Sequence, residues 1–306
     1  MKIAVMGAGG VGGFYGARMA RAGEDVTFIA RGPHLAALRE SGMRVESPHI
    51  GDFHLPQVRA TDDPAQVGPA DLVWMTIKGY DLESGARAIL PLIGADTVVI
   101  PLLNGVEVAE DIGAVVGMEH MMGGIVQVSS AIAEPGLIRH ALMDRLVFGE
   151  LGGGSSARGQ AILAMMHKAD IPAELSEEIQ VEVWKKFLFL DGVAGLSSLT
   201  RKTLGPVLGD PDTRALLAGC MREVEALARK KGVALEDNTV EELLQFAATR
   251  PPEMKPSMLL DLERGRKIEL DTFQGTTVRL GKELGVPTPI NEFIYTALKL
   301  HAAGTA

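Results

Sequence analysis

Hydrophobic residues near the amino terminus alternate between short β-type runs and a stretch with helical spacing. Residues 3–6 and 26–30 are apolar runs with β-branched side chains, which are typical of buried strands. Between them, apolar residues over 10–22 recur three and four positions apart, as on one face of a helix. The pattern predicts a strand, a helix and a strand in succession, which is a βαβ unit.

The same alternation continues along the first half of the chain. Further buried strands are expected at residues 72–77, 97–102 and 125–129, with helices at 83–92 and 106–116. Short strands that alternate with helices imply a parallel, doubly wound sheet with helices on its faces. The first half of the chain is therefore predicted to have an α/β, Rossmann-type fold.

Strand signals fade after about residue 175. After a helix at 157–168 and an extended piece at 172–175, helices are expected at 178–190, 212–231, 240–248, 258–264, 272–284 and 292–300. Asp271, with Gln274 three residues later, resembles a capping box that begins one of them. We expect a Rossmann domain over residues 1–175 and an all-α substrate and catalytic domain over 176–306.

Composition excludes several classes of partner. The formal net charge of −9 disfavours nucleic acid, because a polyanion needs clustered lysine and arginine. No apolar run is long enough to cross a bilayer, and the start of the chain has no signal-peptide pattern. The scattered histidines form no metal-ligand pair, and the single cysteine, Cys220, cannot form an internal disulfide. We expect a cytoplasmic protein without a metal, a nucleic-acid partner or a membrane partner.

A glycine-rich motif follows the first expected strand and opens the first expected helix. Gly7, Gly9, Gly10, Val11 and Gly12 form the sequence G-x-G-x-x-G, with Ala8 between the first two glycines. The first glycine allows a tight turn, the second lets the backbone approach a pyrophosphate, and the third allows close packing of helix on strand. Glycine pairs also occur in plain loops, but the strand and helix around this one predict a dinucleotide site.

The end of the second expected strand bears on the choice of dinucleotide. NAD-specific domains usually carry an acidic residue there to bind the ribose 2′-hydroxyl, whereas this chain reads Ala30-Arg31-Gly32. An arginine at this place favours the 2′-phosphate of NADP(H). The alternative is that Arg31 is an ordinary solvated surface residue.

With these motifs in view, the chain resembles the ketopantoate reductase (2-dehydropantoate 2-reductase) family along nearly its whole length. The resemblance is specific in order and spacing, and it rests on the glycine motif, Ala30-Arg31-Gly32, Thr76-Ile77-Lys78, Leu103-Asn104-Gly105-Val106, Glu182-Val183-Trp184-Lys185-Lys186, Pro256-Ser257-Met258 and Glu269-Leu270-Asp271. It implies transfer of a hydride from NADPH to the keto carbon of ketopantoate, which yields pantoate for pantothenate biosynthesis. It also implies a homodimer.

The resemblance makes Lys186 the general acid and Glu269 its acidic partner, which binds substrate or orients the lysine. Apolar residues surround Lys186 in sequence, and burial would lower its pKa toward working pH, as an acid catalyst requires. The alternatives are a surface pair of Lys186 with Glu182, and a solvated charge cluster around Glu269.

Three further roles follow from the resemblance. Ser257 is matched to a residue that holds the substrate carboxylate; a plain N-cap is the competing role, and the two roles are compatible. Asn104 is matched to a contact of nicotinamide and substrate, although Asn-Gly is also a common turn. Lys78 is matched to a cofactor contact near the phosphates, and its alternative is a solvated loop lysine.

The chain departs from the family where asparagines usually hold the polar groups of ketopantoate. Leu190, Ala194 and Leu204 occupy those positions. Loss of hydroxyl-binding groups should change substrate preference, because such groups discriminate strongly and apolar contacts discriminate weakly. Ser197, Ser198 or Thr200 are candidates to replace the missing asparagines.

Three hypotheses therefore stay open. The chain is a ketopantoate reductase with other polar groups in its pocket, or a 2-hydroxyacid dehydrogenase of the same architecture that acts on a less polar 2-keto acid. The third possibility, from a different class of protein, is a non-catalytic NADP-binding sensor. Retention of both Lys186 and Glu269 counts against the third.

Overall fold

The computed structural model describes residues 1–305, which form two compact units. The first comprises residues 1–103 and 107–179, and the second comprises residues 104–106 and the chain from residue 180 onward. Strands are confined to the first unit among the described residues. They are β1 (Lys2–Met6), β2 (Asp25–Ile29), β3 (Met43–Glu46), β4 (Phe53–Leu55), β5 (Arg59–Thr61), β6 (Leu72–Met75), β7 (Val98–Pro101), β8 (Gly123–Glu134), β9 (Leu137–Gly149) and β10 (Ala173–Leu175).

Helices occur in both units. Those of the first unit are α1 (Gly10–Arg21), α2 (Gly32–Ser41), α3 (Leu82–Ala88), α4 (Val108–Val116) and α5 (Ala157–Lys168). The helices that follow are α6 (Ile179–Thr200), α7 (Leu204–Gly209), α8 (Pro211–Lys230), α9 (Thr239–Ala248), α10 (Ser257–Glu263), α11 (Thr276–Leu284) and α12 (Pro289–Leu298). Short 3-10 turns span Pro64–Gln66, Gly79–Asp81, Leu90–Leu92, Met118–His120 and Lys299–His301, and one π-helical turn spans Asp271–Gly275.

The first sheet is the parallel sheet that the sequence predicts. Its strands lie in the order β5-β2-β1-β6-β7, and all of its neighbours pair in parallel. Met6, the last residue of β1, pairs in register with Ile29 of β2 and Met75 of β6, so the three central strands end at one edge. Ligands of such sheets bind at this carboxyl edge. The parallel sheet and the helical region after it confirm the predicted α/β fold class.

A second, mixed sheet corrects one expectation. Residues 125–129 were expected to extend the parallel sheet, but they belong to β8, which pairs antiparallel with β9 in a sheet of order β10-β9-β3-β4. Only Pro135 and Gly136 separate β8 from β9, and Gly136 has a φ of +80°. Such a two-residue connection forms a hairpin and cannot supply the crossover that a parallel pair needs.

The helical unit is built around α6, which has buried residues along most of its length. Phe187, Leu188, Val193 and Leu196 are at most 2% exposed and share a core with α8. This helix extends ten residues beyond its expected end at residue 190, because apolar residues continue to pack after that point. Cys220 on α8 is buried and free.

The expected capping box at Asp271 is wrong. Leu270 already has helical backbone angles, and the carboxylate of Asp271 accepts a hydrogen bond from the Tyr295 hydroxyl at 2.9 Å instead of capping a helix. Gln274 is fully buried and is directed into the core, so it does not reach back to an N-terminal N–H group. Packing of this segment against other helices overrides the local signal.

A buried arginine connects the helix after the glycine motif to the second sheet. Arg18 on α1 is 2% exposed and donates to the carboxylate of Asp144 on β9 and to the main-chain carbonyl of Asp170. Its guanidinium also lies 5.4 Å from the centre of the Phe14 ring. A buried charge is tolerated when opposite charge and hydrogen-bond acceptors surround it, as they do here.

Replacing Arg18 should therefore destabilise the protein more than replacing an arginine on the surface. We expect Arg18→Met to lower the free energy of unfolding by about 3 kcal/mol, because Asp144 loses its partner in a partly buried place. Arg139→Met is the matched control, since Arg139 pairs with Glu46 at the surface, and it should cost less than about 1 kcal/mol. Urea denaturation measures both, and equal losses would contradict this role of Arg18.

Candidate functional site

The glycine motif forms a tight turn between β1 and α1. Gly7 has a φ of +101°, which favours glycine, and an added Cβ would lie 3.0 Å from the carbonyl oxygen of Thr76. The hydroxyl of Thr76 donates to the carbonyl oxygen of Gly7 at 2.6 Å and to that of Met6 at 3.1 Å. The end of β6 thus holds the turn in place.

The other glycines of the motif differ in their surroundings: Gly10 and Gly12 are closely packed, and Gly9 borders open space. A Cβ on Gly12 would collide with the carbonyl oxygen of Gly7, and one on Gly10 would collide with the backbone of Ser130 on β8. At Gly9, by contrast, an added Cβ would meet nothing within 4 Å. Gly9 therefore faces an open cradle, which a side chain would fill.

The start of α1 fits an anionic group. Its N-cap residue, Gly9, has no side chain to accept the first N–H groups, and the first turn, which includes the half-buried Val11, has no acidic residue. The free N–H groups and the positive end of the helix dipole attract phosphate. The cradle at Gly9 and this helix end fit the diphosphate of a dinucleotide.

Two exposed basic residues follow the strands on either side of β1. Arg31 lies two residues after β2, at the N-cap of α2, and its guanidinium forms no ion pair with any residue in the range 1–305. Lys78 lies three residues after β6, at the start of a 3-10 turn. Because β2, β1 and β6 end at one edge, the glycine motif, Arg31 and Lys78 share that edge of the first unit.

Asn104 belongs with the helical unit, although it follows a strand of the first. The chain leaves the first unit for residues 104–106 and then returns to it. Gly105 has a φ of +125°, which favours glycine at this bend, and Val106 is 5% exposed in the core of the helical unit. Asn104 itself is half-buried.

Within the helical unit, Lys186 lies near Glu269. Lys186 is half-buried on α6, and Glu269, which precedes the π-helical turn, is 6% exposed. Withdrawal from water lowers the pKa of Lys186 to about 8, and the charge of Glu269 opposes that change by stabilising the ammonium. The pair thus has an ammonium that can give up its proton near neutral pH.

Ser257 lies at the surface of the same unit. It is the exposed first residue of α10, where the N-cap is Pro256 and not the serine. The alternative reading of Ser257 as a plain N-cap is therefore wrong. Its hydroxyl has no hydrogen-bond partner within residues 1–305.

The positions where the chain departs from the family pattern are apolar in space as well. Ala194 and Leu204 are at most 2% exposed in the core of the helical unit, and Leu190 is half-buried against it. Of the three hydroxyl groups considered as replacements, that of Thr200 donates to the carbonyl of Leu196 in its own helix. Those of Ser197 and Ser198 are buried and lack a hydrogen-bond partner among the described residues.

Sequence reasoning overlooked Asp191, a fully buried aspartate on α6. Burial raises its pKa to about 7, and hydrogen bonds from Cys220 at 3.4 Å and Thr277 at 3.1 Å oppose the rise. The available signal was its place in the sequence, because Asp191 is the one charged residue in the apolar run 187–199. A charge in such a run predicts a buried partner.

The described residues were also compared with the requirements of a metal site and of a membrane-spanning helix. Within 1–305, no three histidine, cysteine or acidic side chains are grouped so that they could bind a metal ion. No helix in that range combines the length and the apolar character needed to cross a membrane.

Comparison with known proteins gives matches over nearly the whole chain. The family "Ketopantoate reductase PanE/ApbA" matches residues 3–153, and "Ketopantoate reductase PanE/ApbA C terminal" matches residues 178–302. The chain is 32% identical to a 2-dehydropantoate 2-reductase of Mesorhizobium japonicum over 94% of each chain. It is also 31% identical to the "Uncharacterized oxidoreductase YkpB" of Bacillus subtilis over 99% of each chain.

Solved structures agree. The 2-dehydropantoate 2-reductase of Geobacter metallireducens superposes with a TM-score of 0.91 at 31% identity, covering 98% of this chain and 99% of its own. A D-mandelate dehydrogenase solved with NADH and anilino(oxo)acetate shares the fold, with a TM-score of 0.89, coverage of 99% and 98%, and 22% identity. The chain therefore belongs to the ketopantoate reductase family of NAD(P)-dependent oxidoreductases, which act on CH–OH groups.

Proposed function

We propose that this protein uses NADPH to reduce a 2-keto acid to the 2-hydroxy acid, with Lys186 as the proton donor. The observation that carries the proposal is the half-buried ammonium of Lys186, whose pKa is about 8, near the buried carboxylate of Glu269. A general acid works best when its pKa lies near the operating pH. An exposed lysine with its usual pKa would be a much weaker acid.

The reaction needs one hydride and one proton. When bound, NADPH would supply the hydride for the keto carbon, and the glycine motif, Arg31 and Lys78 would hold it. The ammonium of Lys186 donates its proton to the keto oxygen as the electron pair of the C=O bond moves onto that oxygen, and the neutral amine then takes a proton from solvent. Before transfer, the same ammonium attracts the negatively charged substrate and polarises its carbonyl.

Other residues of the helical unit have supporting roles in this proposal. Glu269 stabilises the charged form of Lys186 and accepts a hydrogen bond from a substrate hydroxyl where one is present. The exposed hydroxyl of Ser257 donates to the substrate carboxylate, and Asn104 contacts nicotinamide and substrate. These three roles come from the family resemblance, and the half-buried or exposed positions of Asn104 and Ser257 leave them accessible.

NADPH is preferred over NADH in this proposal because of charge at the end of β2. The guanidinium of Arg31 is exposed and has no ion-pair partner within residues 1–305, so it can bind a 2′-phosphate with two charge-assisted hydrogen bonds. The glycine motif at Gly7, Gly9, Gly10, Val11 and Gly12 holds the diphosphate, and Lys78 lies at the same sheet edge.

We infer ketopantoate as the first substrate to test, which would give the protein a place in pantothenate biosynthesis. A second candidate, a less polar 2-keto acid, is favoured by Leu190, Ala194 and Leu204, which cannot bind a hydroxyl group. The hydroxyls of Ser197 and Ser198 lack other partners among the described residues, but both residues are fully buried and so do not present a hydroxyl-binding group to a substrate.

The central experiment measures NADPH oxidation with ketopantoate, 2-ketoisovalerate and phenylpyruvate in parallel. We expect at least one of them to be reduced, and the highest kcat/KM identifies the class of side chain that the pocket accepts. Lys186→Ala should lower kcat about 100-fold or more, because the proton donor is lost. Lys185→Ala, on the neighbouring residue of the same helix, should leave kcat within about twofold.

Two results would contradict the proposal. Full activity of Lys186→Ala would remove the proton donor from the mechanism. Binding of NADPH without reduction of any of the three acids would favour the non-catalytic sensor.

The pKa of Lys186 also predicts the pH dependence of reduction. The donor must carry its proton, and its protonated fraction falls as pH rises through about 8, so kcat should decline above that pH. At higher pH we expect about a tenfold loss per pH unit. Any residual activity of Lys186→Arg should lack this decline, since a guanidinium keeps its proton. A wild-type kcat that stays constant to pH 10 would be inconsistent with Lys186 as the acid.

Arg31→Ala tests the preference for NADPH. The KM for NADPH should rise about tenfold or more because charge-assisted hydrogen bonds to the 2′-phosphate are lost, whereas the KM for NADH should change little. Arg39→Ala, on the same helix α2 but paired with Asp62, is the control and should affect neither cofactor. An equal rise for NADPH and NADH would indicate that Arg31 does not contact the 2′-phosphate.

A further inference from the structure

Two buried polar residues outside the Lys186–Glu269 pair occupy equivalent places on the segments that carry it. Asp191 follows Lys186 by five residues on α6, and Gln274 follows Glu269 by five residues in the π-helical turn. Both Asp191 and Gln274 are 0% exposed. The proposed mechanism uses neither of them.

Gln274 and Thr277 hold Asp191 from the same side. The side-chain Nε2 of Gln274 donates to the main-chain carbonyl oxygen of Asp191 at 2.6 Å, and the hydroxyl of Thr277 donates to its carboxylate at 3.1 Å. The two donors are one helical turn apart, and they bind the backbone and the side chain of Asp191. We call these three residues the Asp191 clamp.

The approach of Gln274 to α6 requires a glycine. A Cβ on Gly195 would lie 2.5 Å from Nε2 of Gln274, closer than such atoms approach in proteins. Gly195 follows Asp191 by one helical turn on α6. The helix therefore carries a notch where the carboxamide of Gln274 lies.

An aromatic pair lies between the clamp and the charged pair. Phe187, next to Lys186, stacks on Phe273, next to Gln274, with ring centres 6.0 Å apart and planes at 28°. The charged pair, the aromatic pair and the clamp are thus successive contacts between α6 and the segment 269–277. Sliding one segment along the other would disturb all three at once.

Main-chain hydrogen bonds join the two neighbours of Gln274 to Glu269 and Leu270. The N–H of Phe273 donates to the carbonyl of Glu269 at 3.2 Å, and the N–H of Gly275 donates to that of Leu270 at 3.0 Å. The second bond spans five residues, as in a π-helix, a form found often at functional sites. Glu269 and Gln274 therefore belong to one hydrogen-bonded stretch of main chain.

The chemistry of Gln274 indicates a role beyond filling space. Its Oε1 atom is buried without a hydrogen-bond partner among the described residues, which is unfavourable. An apolar side chain of similar length would occupy the same volume without that loss. The gain that offsets it is the directional bond from Nε2 to Asp191.

We propose that Gln274, supported by Thr277, is a positioning residue that fixes the register of α6 against the Glu269 segment and so holds Lys186 beside Glu269. This inference rests on the proposed function, in which Lys186 must keep both a proton to donate and the ability to release it. Loosening the clamp lets Glu269 move away from the ammonium. Lys186 then loses the opposing charge, so its pKa falls.

The test combines one substitution in the clamp with one in the notch. Gln274→Met keeps the side-chain length and removes the amide donor, and Gly195→Ala displaces the carboxamide without altering it. Gly192→Ala is the matched control, because it adds the same methyl group to α6 against the apolar side chains of Leu217 and Met221 on α8. Thr277→Val removes the second donor, and Thr277→Ser restores it.

The primary measurement is the pKa of Lys186 itself, read from the pH dependence of its acetylation by trace acetic anhydride with peptide mass spectrometry. We expect about half a pH unit or more of downward shift in Gln274→Met and Gly195→Ala. A smaller shift is expected in Thr277→Val, and none in Gly192→Ala or Thr277→Ser. In kinetics, kcat should fall about tenfold or more in the first two variants while the KM for the keto acid stays within about twofold.

The labelling experiment separates this inference from the proposed function. An unchanged pKa of Lys186 in both Gln274→Met and Gly195→Ala overturns the positioning role, whatever the kinetics show. A wild type that reduces no 2-keto acid overturns the proposed function, while the labelling shifts still decide the role of the clamp. If Gln274→Met fails to fold, Gly195→Ala and Thr277→Val decide the question by the same readout.

Discussion

The ammonium of Lys186 is held in a place that water reaches poorly, and Glu269 supplies the opposite charge that makes this arrangement stable. In the proposed mechanism, the long helix α6, the π-helical turn and the contact of Phe187 with Phe273 keep these two charged groups near each other. A lysine in this setting is a moderate acid and also a cation, so it combines the two properties that reduction of a keto acid demands.

The first unit is subject to a different constraint, which is the close approach of backbone segments to one another at the glycine motif. Parallel strands that end in register bring three loops to one edge, and the glycine motif then removes side chains where the backbone must come close. Three of those glycines are needed by the protein itself, because a Cβ would meet Thr76 at Gly7, Ser130 at Gly10 and the carbonyl of Gly7 at Gly12. Gly9 is different, since nothing in the protein lies where its side chain would be. In the proposed function, the space beside Gly9 takes the diphosphate of the cofactor.

Local sequence patterns were sufficient for the fold class but not for every contact. The βαβ start and the helix Ala157–Lys168 follow from spacing alone, because one buried face determines each element. The second sheet was missed because it joins strands from distant parts of the chain, with Arg44 of β3 paired with Leu137 of β9. The predicted cap at Asp271 was wrong because a tyrosine 24 residues later binds its carboxylate. The clamp on Asp191 joins residues more than 80 positions apart, and no local pattern records such a contact.

Residues 104–106 belong to the helical unit, although the chain before and after them belongs to the first unit. The helical unit is therefore discontinuous in sequence. A fragment that started at residue 180 would not contain Val106, and its core would have a small cavity where that side chain packs. During synthesis this valine leaves the ribosome before α6 does, because it precedes that helix in the sequence. Cutting the chain between its two units therefore removes from the helical unit a residue that belongs to its core.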